Sequence, residues 1–281
     1  LELLVDAQHH LSLYVLEDNL FRVLIKRKGE LALEKTWSIA PEQDVPWEGR
    51  HREDLSGFSC PAWTLTQLDN KLVIATEQLR VTVHQPLWLE WHYRNDAGEW
   101  QALVNDRPTS AYLLNAHGDG AAHYLSRRKD ERFYGLGEKA GDLQRNGKRY
   151  EMRNLDAMGY NAVSTDPLYK HIPFTIARRD DVSYGVFYDN LSSCWLDLGN
   201  EIDNYHTAYR RWQAEAGDID YYIFTGKRVL DVTKAFVRLT GKTLFGPKWS
   251  LGYSGSTMHY TDAPDAQNQL MNFIRLCEEH A

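Results

Sequence analysis

The sequence predicts a mainly β protein, an antiparallel sandwich or barrel, that ends in one strand–helix unit of a different architecture. Three observations predict it. Apolar residues alternate with period two through most of the first 225 positions, the pattern of half-buried strands. Turn residues break that alternation at short intervals, as they do in all-β domains. Near Thr225 the period lengthens to that of an amphipathic helix.

The elements follow in order. The segment 40–63, "APEQDVPWEGRHREDLSGFSCPAW", is polar and marked by Pro and Gly, so it reads as an extended loop crossing the sandwich surface. In "LRVTVHQ", Leu79, Val81 and Val83 fall on one face and Arg80, Thr82 and His84 on the other. In "LEWHY", Leu89, Trp91 and Tyr93 alternate with Glu90 and His92; "NDAG" at 95–98 turns the chain and "EWQALV" returns. "IPFTIARRDDVSYGVFYDN" reads as a hairpin about Asp180-Asp181, with an inward set of Ile172, Phe174 and Ile176 answered by Tyr184, Val186 and Tyr188. "SCWLDL" and "IDYYIFTG" add further strands. "RVLDVTKAFVRLTGK" then places Val232, Ala235, Phe236 and Leu239 on one helical face, with Gly241 as its stop. "WSLGY", 249–253, reads as a strand. A last helix follows, capped by Thr261 or Asp262 with Pro264 in its first turn, and striped by Ala266, Leu270, Phe273, Ile274 and Cys277. Such a strand–helix pair is half of a βαβ crossover and needs a parallel neighbour.

Composition narrows the function. A chain of 281 residues, 43% hydrophobic, holds one large domain or two ordinary ones and buries a sizeable core. A formal charge of −7 argues against nucleic-acid binding, which wants a basic surface. Cys60, Cys194 and Cys277 are far apart and form no CxxC, so neither a disulfide framework nor a thiolate zinc site is indicated. A reducing, cytoplasmic compartment is the expectation. "LELLVDAQHH" lacks the basic flank and long apolar run of a signal peptide, and no run of about 18 apolar residues suggests a membrane span. The eleven histidines lack ligand spacing, and His9-His10 point to opposite faces of a strand. HExxH, GxxxxGK[ST], GxSxG and EF-hand patterns are all missing. Neither a metal nor a cofactor is therefore expected.

Two motifs remain. "YGLGEKAG" carries Gly135, Gly137 and Gly141 but misses the GxGxxG spacing, so it reads as a tight turn or bulge. Asp142, Asp156 and Asp166 fall in one turn-rich stretch. Asp156, among Asn154, Met158, Tyr160 and Asn161, has the polar and flat neighbours that suit a sugar. The plainer account is an Asx turn.

These residues carry a resemblance. The stretch 132–177, with the Tyr134–Glu138 turn, the Asn154-Leu155-Asp156 triplet and the Tyr169-to-Phe174 run into a strand, resembles the N-terminal domain of glycoside hydrolase family 31, the α-glucosidase and α-xylosidase family. "TWSIAPEQDVPWEGRHREDLSGF" resembles the first segment of bacterial members, and "FGPKWSLGYSGSTMHYTDAPDAQNQL" that family's entry into its barrel. The resemblance implies a galactose-mutarotase-like antiparallel β-sandwich over 1–243, followed by the first strand–helix unit of a (β/α)8 catalytic barrel at 244–281. It implies the N-terminal part of a retaining exo-α-glycosidase, an α-glucosidase before an α-xylosidase or transglucosidase, acting on an oligosaccharide through two carboxylates. Neither nucleic acid nor membrane is an expected partner, and a homo-oligomer is left open. The family's nucleophile lies in an Asp-x-Asn-Glu motif within the barrel, which no Asp-Asn here (18–19, 69–70, 189–190, 203–204) continues into. No catalytic residue is thus expected in this chain, which alone should be inactive. By resemblance Asp156 hydrogen-bonds substrate hydroxyls from the Asn-x-Asp loop. Met258 takes the position after the first barrel strand, where the family often has an aromatic. The rival from another class is a non-catalytic carbohydrate-binding or structural sandwich.

Overall fold

The computed structural model describes residues 1–6, 8–114, 119–252 and 258–280; of these, the side chains of Met258 and Thr261 lie outside the description. The chain opens as an antiparallel meander of β1 (Glu2–Val5), β2 (His9–Glu17) and β3 (Leu20–Lys26). A short pair, β4 (Lys35–Thr36) and β5 (Arg50–His51), draws in the loop that follows. A second meander comprises β6 (Thr64–Leu68), β7 (Lys71–Ala75), β8 (Leu79–His84), β9 (Trp88–Arg94) and β10 (Trp100–Asn105). Then come β11 (Tyr112–Leu114), β12 (Ala121–Ser126), β13 (Arg132–Gly135) and β14 (Arg149–Met152). The strands close with β15 (Phe174–Arg178), β16 (Ser183–Tyr188), β17 (Cys194–Asp197), β18 (Tyr209–Ala214) and β19 (Ile219–Gly226). Among the described residues three α-helices follow: α1 (Val229–Thr240), α2 (Met258–Thr261) and α3 (Ala266–His280).

Every named ladder is antiparallel, and the main sheets are three. The first has seven strands in the order β1-β2-β3-β19-β16-β15-β13; the second runs β10-β9-β8-β7-β6 and the third β11-β12-β18-β17-β14. The bridge between Asp106 and Leu125 joins the second sheet to the third. The first sheet faces both across one core that gathers Leu11, Phe21 and Val23, Val81 and Trp91, and Leu196 and Trp212. Alternation explains these choices: Leu79, Val81 and Val83, and Leu89, Trp91 and Tyr93, all point inward as the period-two reading expects.

The hairpin about Asp180-Asp181 forms, but its expected inward set mixes two faces. Phe174 pairs with Phe187 and Ile176 with Gly185, whereas Tyr184 pairs with Ala177 and Val186 with Thr175. Phe174, Ile176 and Phe187 therefore meet α1 on the outer side of the first sheet, through Val232 and Leu239. Tyr184, Val186 and Tyr188 face the main core. Both sides of this sheet are buried, so a hydrophobic run does not reveal which side is which.

The loop over 40–63 is less superficial than its polarity suggests. Its own Arg50 and Arg52 are buried. Arg50 donates to the carbonyls of Asp54 at 2.8 Å and Ser56 at 2.6 Å, which ties the loop to itself.

The chain divides into two compact units, Leu1–Lys242 and Thr243–Ala281. In the second, the strand expected over 249–253 is not formed: Lys248–Leu251 is a 3-10 turn, and 253–257 lie outside the described residues. A barrel strand takes its hydrogen bonds from parallel neighbours, and among the described residues no strand pairs with this segment. The last helix starts later than expected. Thr261 ends α2, and α3 begins at Ala266 after Pro264, with the Asp265 carbonyl accepting from the Gln269 amide at 3.2 Å. Its apolar stripe is present, and none of its residues is buried.

Candidate substrate-binding loop

The stretch from Met152 to Phe174 leaves the third sheet at the end of β14 and enters the first at β15. Two features fix its feet. The turn after β13 runs through Gly135, Leu136 and Gly137 at φ of 102°, 68° and 67°, so the tight turn expected there is a left-handed run. A Cβ on Gly135 would sit 2.5 Å from the Phe174 carbonyl oxygen, and one on Gly137 2.6 Å from Ile172. Only glycine brings this backbone so close to the loop's exit. Leu136 then donates to that same Phe174 carbonyl at 2.8 Å.

The turn delivers Lys139. Its ammonium donates to Asp166 Oδ1 at 2.8 Å and to the Glu151 carbonyl, while Asp166 Oδ2 accepts from the Glu151 amide at 2.6 Å. One lysine and one aspartate thus clamp the middle of the loop to β14. His171 Nδ1 lies 3.2 Å from the Met152 carbonyl and Nε2 2.9 Å from that of Asn190, which seats the exit. Between these points Asn161 organises the tip: Oδ1 accepts from Val163 N at 2.9 Å and Ser164 N at 3.2 Å. The Gly141 amide donates to the Ala162 carbonyl at 2.8 Å.

Asp156 is exposed on this frame. The neighbouring turn uses its carbonyl, which accepts from Met158 N at 3.1 Å; the Asx geometry belongs instead to Asn161. The Tyr169 amide donates to the Leu155 carbonyl at 3.0 Å and brings the two ends of the Asp156 segment together. Tyr169 pays for this with a φ of 37°, a region that bulky residues rarely occupy. Desolvation first, and then the neighbouring Asp156 carboxylate, raise the Tyr169 phenol above its ordinary range. Tyr160 meets the Tyr169 ring edge to face at 6.3 Å, and Met158 is 88% exposed beside them. The result is one accepting carboxylate next to flat, exposed, partly apolar groups. Chemically, such a combination can accept from vicinal hydroxyls and offer a flat surface to a sugar's C–H face.

The three sequence motifs of the first unit therefore meet at one place: the glycine turn, the Asn-x-Asp triplet and the Tyr169-to-Phe174 run. Met258 opens α2 in the second unit, and its side chain lies outside the described residues. Reasoning from sequence missed Lys139, Asp166 and His171 as the loop's fastenings, because their contacts span 12 to 27 positions with no local pattern. Among the described residues no three His, Cys, Asp or Glu side chains converge on a metal-sized site, and no helix is long and apolar enough to cross a membrane.

Comparison with known proteins adds to this geometry. Residues 10–197 match the family model for the glycosyl hydrolase 31 N-terminal galactose mutarotase-like domain. Over 242 residues the chain is 35% identical to alpha-glucosidase 2 of Bacillus thermoamyloliquefaciens, covering 80% of this chain and 30% of that protein. It is 36% identical over 130 residues to the alpha-glucosidase of Saccharolobus solfataricus, covering 46% of this chain and 18% of that one. Among solved structures, the GH31 dextranase of Flavobacterium johnsoniae, complexed with isomaltotriose as its D412A mutant, superposes with a TM-score of 0.71 at 26% identity. That match covers 88% of this chain and 28% of the dextranase. The chain thus spans less than a third of the length of each of these relatives.

Proposed function

The chain belongs to glycoside hydrolase family 31, whose N-terminal galactose mutarotase-like domain it carries, and from that premise we propose that it is the N-terminal part of a retaining exo-α-glycosidase, an α-glucosidase. The sandwich, 1–243, supports a barrel that begins at residue 244 and supplies the two carboxylates of the retaining mechanism. This chain's own part is to hold substrate. The observation that carries the reading is the clamped loop with Asp156 exposed beside Tyr169, Tyr160 and Met158.

Asp156 accepts hydrogen bonds from two neighbouring hydroxyls of the terminal sugar. Lys139 and Asp166 hold the loop so that this carboxylate is placed before substrate arrives, which saves ordering entropy on binding. Met258 is the second substrate-binding residue of this reading, on the resemblance of its segment to the family's barrel entry. The two α-glucosidases among the relatives support glucose as the terminal sugar, and the free Cys60, Cys194 and Cys277 support a reducing, cytoplasmic setting.

The test is kinetic. In the enzyme containing this chain, Asp156→Ala should lower kcat/KM for maltose by roughly 2–4 kcal/mol of transition-state stabilisation, about 30- to 1000-fold, the scale of lost hydrogen bonds to a charged group. Unchanged kinetics would remove Asp156 from the site. Faster turnover of p-nitrophenyl α-xyloside than of the α-glucoside would replace glucose with xylose in the assignment.

A further inference from the structure

The third sheet has one face in the core and one turned outward. His123, Trp212, Leu196 and Met152 face inward. Register fixes what stands on the other side. Leu113, Ala122, Gln213, Trp195 and Glu151 are successive partners, one from each strand, and form a single rung across the sheet. Tyr124, Arg211, Asp197 and Arg149 form the next rung. Facing side chains in such a rung start about 5 Å apart at Cβ, so their sizes decide the relief of the surface. Ala122 is small between larger neighbours, and a hollow of about 490 Å³ opens there, with Trp195, Tyr124 and Gln213 in its lining. That volume lies within the roughly 300–1,000 Å³ of small-molecule sites.

The chemistry of the hollow is specific. Trp195 is half-buried, and the Arg149 guanidinium lies 5.5 Å from its ring centroid. Neither the Trp195 indole N–H nor the Gln213 amide makes a side-chain hydrogen bond among the described residues. The charges that line the hollow itself are already paired, Arg211 with Glu201 at 2.7 Å and Glu215 with Arg153 at 3.4 Å, while Arg149 stands outside the lining against the indole. A charged ligand would have to break those pairs. A neutral ligand with an apolar face for the indole and adjacent hydroxyls for an amide would not, because an amide offers both donors and an acceptor.

We propose that this outward face of the third sheet is a saccharide-binding site for a neutral oligosaccharide, sharing no residue with the loop around Asp156. Trp195 is its stacking platform, Gln213 its hydrogen-bonding centre, and Ala122 the position that keeps it open.

The experiment uses the 281-residue chain itself, labelled with 15N at tryptophan, and follows the indole resonances while maltotriose or isomaltotriose is added. The Trp195 resonance, assigned by its loss in Trp195→Phe, should shift saturably with a millimolar Kd for at least one trisaccharide. Gln213→Ala should weaken that binding about ten-fold, the equivalent of one lost hydrogen bond, with the remaining resonances in place to show that the fold is intact. Ala122→Leu should abolish it by filling the hollow, and Asp156→Ala should leave it unchanged. An unmoved Trp195 resonance would overturn the proposal, as would an equal response to glycerol or loss of the response in Asp156→Ala. Failure here leaves the maltose kinetics of Asp156→Ala as an independent test of the proposed function.

Discussion

Asp220 accepts from Arg22 Nε at 2.8 Å and Nη2 at 2.7 Å, and from Arg52 Nη1 at 2.8 Å, while Arg52 also reaches Asp189 at 2.7 Å. All four side chains are almost fully buried. Burial works against the Arg22 charge, yet Asp220 holds its pKa well above the ordinary value; burial also raises the Asp189 carboxyl, against the pull of Arg52. Removing one member leaves the others charged in a poor solvent. Asp220→Ala should therefore destabilise the sandwich by roughly 3–5 kcal/mol, measured by urea unfolding. A change below about 1 kcal/mol, the worth of an exposed pair, would show that the network is solvated. The sequence places Asp220 in the strand "IDYYIFTG" but does not show what covers its face. Arg52 arrives from a loop 168 positions away, and no local pattern announces it.

At the scale of elements, the strands were legible where one face meets the core and the other does not. The alternation at Leu79–Val83 and Leu89–Tyr93 is of that kind. It was misleading in β15 and β16, where α1 covers the second face. Phe236 of α1 stacks on Phe174 at 3.9 Å and 5°, and meets Phe187 edge-on at 5.4 Å. Gly185 makes this possible, since a Cβ there would lie 2.5 Å from the Phe224 ring. The helix itself was plain from Val232, Ala235, Phe236 and Leu239, and Gly241 ends it at a φ of 87°. Because Phe236 is only partly buried, Phe236→Ala should cost about 2–3 kcal/mol. Hydrogen exchange in α1 should rise in step with that loss. Exchange confined to its native rate would mean that α1 is held by other contacts.

For the whole molecule, the segment 249–253 shows where sequence pattern stops. Its alternation suits a strand, but a strand is a relation between segments, and its partners are not among the described residues. The sandwich is the opposite case, because each of its named strands has a partner and its core buries several phenols. Tyr112, Tyr184, Tyr221 and Tyr222 are held well above the ordinary tyrosine pKa, first by desolvation. Tyr93 is pushed up to about 12 by desolvation and then by its hydrogen bond to Asp181. A raised folded pKa means that the native state keeps a proton the unfolded chain gives up. The stability this contributes is complete below about pH 10, the unfolded tyrosine value, and is lost as pH rises through the folded values. Alkaline titration should thus be cooperative: absorbance at 295 nm should show part of the sixteen tyrosines ionising only in a step above pH 10 that coincides with loss of β-sheet circular dichroism. Tyr93→Phe should flatten the fall of stability between pH 10 and about 12, where that one phenol acts. If all the tyrosines titrate together near pH 10 while the dichroism is unchanged, the phenols are solvent-accessible and the first sheet is not tightly packed on both faces.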